Sequence, residues 1–436
     1  MATKRKSVTN TQDNSTPRHS ACAGIEELLL SAISRGDETL QTGRYLISYE
    51  EGGLDEGIKM LKKHHFDLAD ARDFTNQALD LNSIADAEAL VFPEVGVALV
   101  GGDAIEAHGL NINSDFLSLD SVRIVEPEYF AFTESAEFIR GFASAANAIA
   151  RDYQDASSSV SSENEFNTKG AGATWGLVAC GVSQSSRSGE GIKVAVLDTG
   201  MDLGHLDFAN RRIISETFVG QPVQDLNGHG THCVGTACGP LAPSGQTPRY
   251  GIAYASNIYV GKVLSNSGSG TGASVIAGMN WAIANRCEII SMSLGSQSPV
   301  QAAYTNAGAA ALRNGLLIIA AAGNAASGTG APANSPTIMS VSSLDPNLQP
   351  SSFSNFGKIE IAAPGRDVFS SWPRPTRYRS ISGTSMAAPH VAGCAALWAQ
   401  SSASLRGANL WRQLTSSAHR LPLPASRVGA GIVQAS

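Results

Sequence analysis

Long apolar runs are missing from this chain: no stretch reaches the ~18 residues that a membrane-spanning helix needs, which excludes a helical bilayer protein. A secretory signal is missing too. The N-terminus reads Met1-Ala2-Thr3-Lys4-Arg5-Lys6, and polar residues follow where such a signal carries its apolar core. Cysteine is scarce, because Cys22, Cys180, Cys233, Cys238, Cys287 and Cys394 are too few and too scattered for a disulfide scaffold in 436 residues. Thiols are the expected state. Charge is thin at 16% against 43% hydrophobic residues, which excludes a disordered or fibrous chain and describes a globular one.

Glycine, by contrast, is abundant at 44 residues and marks many tight turns. The length exceeds one ordinary core, so two or three domains are expected. A net charge of −7 hides an asymmetry: residues 1–170 carry −14 and residues 171–436 carry +7, so the halves attract through a field that salt weakens. Residues 1–24 are polar and aperiodic and are expected to be disordered. Residues 25–133 read as a smaller α+β domain, with a strand at Arg44–Tyr49, a helix from Asp55 to Phe66, apolar strand material from Ala89 to Val100 around Pro93, and a last strand at Ser121–Glu126. Residues 134–172 hold a helical pattern, Glu137–Tyr153, and a Ser-, Asn- and Gly-rich linker. From 173 to 436, apolar runs at Lys193–Leu197, Ile258–Val260, Glu288–Ser291 and Leu316–Ala320 alternate with helical patterns at Ala273–Asn285 and Val300–Arg313. This predicts a doubly wound, mostly parallel α/β sheet with reactive groups at the carboxyl ends of its strands.

Four segments of that region carry chemistry. Gly383-Thr384-Ser385-Met386-Ala387-Ala388-Pro389-His390 presents a serine hydroxyl at a helix start, inert unless a base, an orienting carboxylate and an oxyanion donor accompany it. Asp198-Thr199-Gly200 follows a strand directly and puts a carboxylate at its end. An aspartic peptidase would need a second such motif to share a proton, and none occurs. Asn227-Gly228-His229-Gly230-Thr231-His232-Cys233 sets a histidine between glycines, which lets the backbone pack close to the ring. Zinc ligation by His229, His232, Cys233 and Cys238 is disfavoured there, since glycines weaken a ligand-presenting helix and no carboxylate has matching spacing. Ala321-Ala322-Gly323-Asn324 ends a buried strand on an amide, which is either a turn former or a donor to a developing oxyanion.

In this order the four segments resemble the subtilisin-type serine endopeptidases, over Trp175 to the C-terminus. The resemblance implies a catalytic triad of Asp198, His229 and Ser385, with Asn324 completing the oxyanion hole. It also implies peptide hydrolysis through an acyl-enzyme, with polypeptides as substrates. In relatives the segments matching Gly268 and Ser293-Leu294-Gly295 form backbone ladders with substrate, and Gly330 looks like the floor of the primary side-chain pocket, which implies tolerance of large apolar residues. Cys233 matches the thiol-containing, proteinase K-type branch and is expected to pack beneath the histidine, where a mercurial would inhibit.

The pattern from Arg44 to Tyr129, ending in Val122-Arg123-Ile124-Val125-Glu126-Pro127-Glu128, is similar to the family's propeptide inhibitor domain. That similarity implies a self-inhibited precursor, cut either close to Tyr129–Thr133 or in the linker near Ser157–Gly172. No cofactor is expected. Calcium is common among relatives just after the histidine-bearing helix, but Gly239–Gly245 offers no carboxylate here, and no ligands are identified. Nucleic acid and membrane are not expected partners, and a monomer is expected. The missing signal points to the cytoplasm and the family's habit to export. A peptide ligase or macrocyclase on the same scaffold, or a catalytically dead binding module, are the alternative readings.

Overall fold

The computed structural model describes residues 21–34, 40–84, 87–133 and 172–436. Residues 1–20 of the expected disordered start, the helix expected over Glu137–Tyr153 and most of the linker lie outside them, whereas Ala21, expected in the disordered start, is buried because its carbonyl accepts from Arg44 Nη1 at 2.8 Å and its side chain joins the core. The N-terminal part runs α1 (Ile25–Ser34), β1 (Gln41–Tyr49), α2 (Leu54–Lys63), β2 (Leu68–Asp70), β3 (Ala89–Phe92), β4 (Val97–Gly101), α3 (Gly102–Ala107) and β5 (Val122–Thr133). The apolar stretch around Pro93 is a hairpin, since Pro93 and Gly96, at φ +64°, turn β3 back into β4. Strand β1 lies between β4 and β5, antiparallel to both. Both faces of this sheet are covered. Ile47, Val91 and Val100 pack on Leu61, Phe66 and Ile105, whereas Leu46, Leu90, Phe92 and Leu99 join the core of the larger unit.

That larger unit runs α4 (Trp175–Ala179), β6 (Lys193–Asp198), β7 (Ile213–Thr217), α5 (His229–Cys238), β8 (Asn257–Lys262), β9 (Ser269–Thr271), α6 (Gly272–Ala284), β10 (Ile289–Met292), β11 (Leu294–Gly295), α7 (Ala302–Arg313), β12 (Leu317–Ala321), β13 (Met339–Leu344), β14 (Ile361–Pro364), β15 (Val368–Ser371), β16 (Tyr378–Ile381), α8 (Thr384–Ser401), α9 (Gly407–Ser417) and α10 (Ala425–Val428). Seven strands form one sheet in the order β14-β13-β12-β10-β6-β8-β7. Every pairing in it is parallel.

Near-continuous apolar strands follow from helices on both faces: Val194 and Val196 of β6 pack towards α5 and α8, and Ala195 and Leu197 towards α6 and α7. Each aliphatic side chain buried this way contributes roughly 1.5–3 kcal/mol. The chain enters at β6 and builds outwards on both sides of it, so the strand order reverses there and opens a crevice at the carboxyl ends. Asp198, the last residue of β6, stands at that point. No helix among the described residues is long and apolar enough to cross a membrane.

Candidate active site

Asp198 is 1% exposed and accepts hydrogen bonds from its neighbour Thr199 N at 2.7 Å and from His229 Nδ1 at 2.8 Å, both on Oδ1. His229 opens α5, and two close approaches at its flanking glycines hold it there. A side chain at Gly228, where φ is +102°, would stand 2.3 Å from the Trp372 ring, and one at Gly230 would stand 2.3 Å from Gly200 O. Asp225 ties down the turn before the helix, accepting from Asn227 N, Gly228 N, Thr231 N, Thr231 Oγ1 and Thr199 Oγ1. Burial alone would lower the His229 pKa, but the charge of Asp198 and its hydrogen bond outweigh it and hold the value well above 6.5. The pairing therefore favours a protonated ring. Beneath the pair, Lys262 Nζ donates to Thr199 O and Asn266 Oδ1, and burial lowers its pKa to about 8 against the opposing charges of Asp225 and Asp198.

Ser385 is the second residue of α8, and its surroundings follow from a proline. Pro389 lies four residues on and has no N–H to return to the Ser385 carbonyl. Ser293 Oγ donates to that carbonyl instead, at 2.7 Å, with Cys233 Sγ 3.5 Å away. The same thiol lies 3.9 Å from His229 Nδ1, so it packs between His229 and Ser385. Ser385 Oγ donates to Ser293 O at 3.2 Å, and among the described residues His229 Nε2 has no hydrogen-bond partner. The structure thus joins Asp198 to His229 and brings Ser385 beside them with its hydroxyl turned towards Ser293.

Asn324 lies in the loop that follows β12. Its Oδ1 accepts from Thr384 N at 2.9 Å and Thr384 Oγ1 at 3.0 Å, which orients the amide with Nδ2 as the outward donor. A side chain at Gly383 would stand 3.1 Å from Asn324 Nδ2 and 3.6 Å from Ser385 N. The two donors therefore converge on a space that glycine leaves open, and one of them belongs to the first turn of a helix.

The remaining predicted positions line the adjoining groove, which already holds a strand. The last residues of β5 pair antiparallel with β9 on one side, Phe130 with Thr271, Ala131 with Gly270 and Phe132 with Ser269. On the other side they pair with β11, Phe132 with Gly295 and Thr133 with Leu294. Thr133 N donates to Gly268 O at 2.8 Å, and a side chain at Gly268 would stand 2.7 Å from Thr133 Oγ1. Gly330 is buried behind this edge, where a Cβ would meet Ser296 O at 2.5 Å. Sequence reasoning missed Asp225, Lys262 and Thr384; an acidic residue just ahead of a helix start was the available signal for Asp225.

Metal chemistry finds little support in the donor sets. Among the described residues, Asp198, His229 and Cys233 are the one group of three or more ligand-type side chains close together, and the Asp198–His229 bond already engages it. His232 faces away and meets Val368 O. In the region considered for calcium, Asp207 is surrounded by donors, with Ser244 N at 2.8 Å, Tyr250 OH at 2.6 Å and Tyr378 OH at 3.1 Å. That set does not fit an ion seeking six to eight oxygens.

A parallel α/β sheet with a buried carboxylate–imidazole pair at its switch point, a helix-borne serine and two converging donors defines a serine hydrolase. The model described as the subtilase family matches residues 189–431, and the chain belongs to that family. It is 37% identical over 292 residues to an alkaline protease of Shouchella clausii, covering 66% of this chain and 75% of that one. Over 251 residues it is 40% identical to subtilisin Savinase of Lederbergia lenta, covering 57% and 90%. A cold adapted subtilisin-like serine proteinase shares its fold with a TM-score of 0.53 and 34% identity, over 60% of this chain and 96% of that one. The chain is a serine endopeptidase, and catalysis in the family needs no cofactor.

Proposed function

We propose that Ser385 is the nucleophile, His229 the general base and Asp198 its orienter, in an endopeptidase made as a self-inhibited precursor. The observation that carries this reading is the buried 2.8 Å hydrogen bond between Asp198 and His229 beside a helix-borne serine. The Ser385 hydroxyl turns from Ser293 O to His229 Nε2, gives up its proton there and attacks the scissile carbonyl. Negative charge develops on the carbonyl oxygen between Asn324 Nδ2 and Ser385 N. Collapse breaks the C–N bond, the leaving amine takes the proton from His229, and water hydrolyses the ester by the same route in reverse.

Residues 25–133 act as the inhibitor. Strand addition by Phe130–Thr133 between β9 and β11 is how an extended peptide substrate would bind. Thr133 pairs with Leu294, next to Ser293 and hence to Ser385, so the register favours a cut just beyond Thr133 over one in the linker. Two carboxylates anchor the inhibitor to helix starts: Glu126 accepts from Ala302 N and Ala303 N of α7, and Glu128 from Ala273 N of α6. Fluorophosphonate labelling with peptide hydrolysis tests the reading. Label on wild type and none on Ser385→Ala is the expected result; label on both, or hydrolysis by Ser385→Ala, would overturn it.

A further inference from the structure

The loop that carries Asn324 is held by a residue outside the triad. Asn355 lies beyond β13 and is fully buried, and every hydrogen-bonding capacity of its side chain is used on that loop. Nδ2 donates to Ala322 O and Gly328 O, both at 3.0 Å. Oδ1 accepts from Ala325 N at 2.9 Å and Ser327 N at 3.1 Å. Its backbone N donates to Gly323 O at 2.9 Å. An amide has two donor hydrogens and two acceptor lone pairs, so this inventory is complete.

These five partners bracket Asn324 on both sides, at 322 and 323 before it and at 325, 327 and 328 after it. The fit is close: a Cβ on Gly323, where φ is +114°, would stand 2.1 Å from Asn355 Nδ2. The loop needs such a clamp because Ala325, Ala326 and Gly328 are exposed and contribute no core packing. Its side-chain hydrogen bonds all run to that loop and none to Asp198, His229 or Ser385, so whatever Asn355 does for catalysis it does through Asn324.

We propose that Asn355 is the positioning residue of the oxyanion hole: its four-point clamp fixes the backbone on both sides of Asn324 so that the amide meets the developing charge. The inference rests on Asn324 being the oxyanion donor. A donor displaced by ~1 Å forfeits much of its effect, and misplacement of that size costs on the order of 10²-fold in rate.

The test is a double-mutant cycle on the full chain, with Asn324→Ala, Asn355→Ala and the pair, read as kcat and KM on one peptide alongside the melting temperature. Asn355→Ala should lower kcat by roughly 10–10²-fold, with KM within about threefold and the acid limb of the pH profile unmoved. The double variant should be no slower than Asn324→Ala within about threefold, since both changes remove one interaction. Asn355→Asp keeps the two acceptor bonds but turns a buried carboxylate oxygen towards Ala322 O and Gly328 O, so it should be no faster than Asn355→Ala. Losses that multiply, a loss confined to KM, or full turnover in folded Asn355→Ala would overturn the inference. Failure of both Asn355 variants to fold would also overturn it, by assigning the residue to the fold alone. Undiminished turnover in Asn324→Ala is a different outcome, which removes the donor assignment beneath it.

Discussion

Pro389 removes a helical hydrogen bond from the Ser385 carbonyl and so lets Ser293 and Cys233 grip the Ser385 backbone. Around that fixed point each partner makes a separable demand. Asn324→Ala should reduce kcat ~10²–10³-fold, the cost of losing one oxyanion donor in a serine peptidase of this kind; steady-state kinetics on a peptide with KM unchanged is the check. His229 must be neutral to accept a proton, and Asp198 raises its pKa, so activity is lost as pH falls through a value above 6.5. The acid limb of kcat/KM should therefore lie above 6.5 and move down in Asp198→Asn, with turnover lower by ~10⁴-fold. An acid limb below 6.5 in the wild type would count against the pairing. At this scale Asp198 and Asn324 stood out in the sequence because each follows an apolar run, and His229 because glycines flank it. Thr384 and Asn355 did not, because their partners lie 27 to 61 residues away and only the folded chain brings them near, whereas Asp225 acts on its own turn and was simply overlooked.

Among elements, α1 shows what periodicity leaves unread. Ile25–Ser34 carries three adjacent leucines and exposes Leu30 and Ile33, so its pattern is blurred. Its buried side chains nevertheless matter, since Leu28 and Ala32 cover Phe130 and Phe132, the outward-facing residues of the strand in the cleft. Leu28→Asp should loosen that cover and shorten the lag before peptidase activity several-fold; an unchanged lag with normal folding would show that α1 does not strap the strand. Strand β5 also carries a buried ion pair, Arg44 Nε to Glu128 Oε2 at 2.6 Å, with Arg44 Nη2 reaching Thr271 Oγ1 at 3.0 Å. Glu128→Gln leaves a buried guanidinium without its counter-charge and should destabilise the Ser385→Ala precursor by about 3–5 kcal/mol, measured by denaturant titration. Glu126→Gln removes a charge from the start of α7 and should cost only ~1 kcal/mol. Four strands of the parallel sheet, β6, β8, β10 and β12, were readable from their apolar runs, whereas β7, β13 and β14, which are shorter of aliphatic residues, went unread, and β5 was read as ending at Glu126. Its last residues alternate inward and outward as a strand should, yet their partners, β9 and β11, belong to the other unit.

At the scale of the whole molecule, one apolar cluster runs through both units, from Leu46 and Phe92 to Met279 and Ile318. The charge split of −14 and +7 between residues 1–170 and 171–436 favours attraction of the two halves, which salt should weaken. Acid acts elsewhere. Burial lowers the pKa of His232 to about 3 and of His390 to about 4, so both are neutral in the fold at a pH where the unfolded chain would protonate them. Their contribution is intact above pH 6.5 and is lost as pH falls from 6.5 towards 4, while the raised His229 has already reached its full contribution at 6.5. The melting temperature of Ser385→Ala should fall across that window, and His390→Gln should flatten the fall.

The central claim is that this chain holds its own strand in its own cleft and frees itself by its own serine. Intact-mass measurement of purified wild type beside Ser385→Ala tests it most directly. Wild type should release an N-terminal fragment ending just beyond Thr133 and gain activity as it does so, while Ser385→Ala remains whole. The same fragment arising at the same rate from Ser385→Ala, or an uncut wild type already fully active, would contradict it.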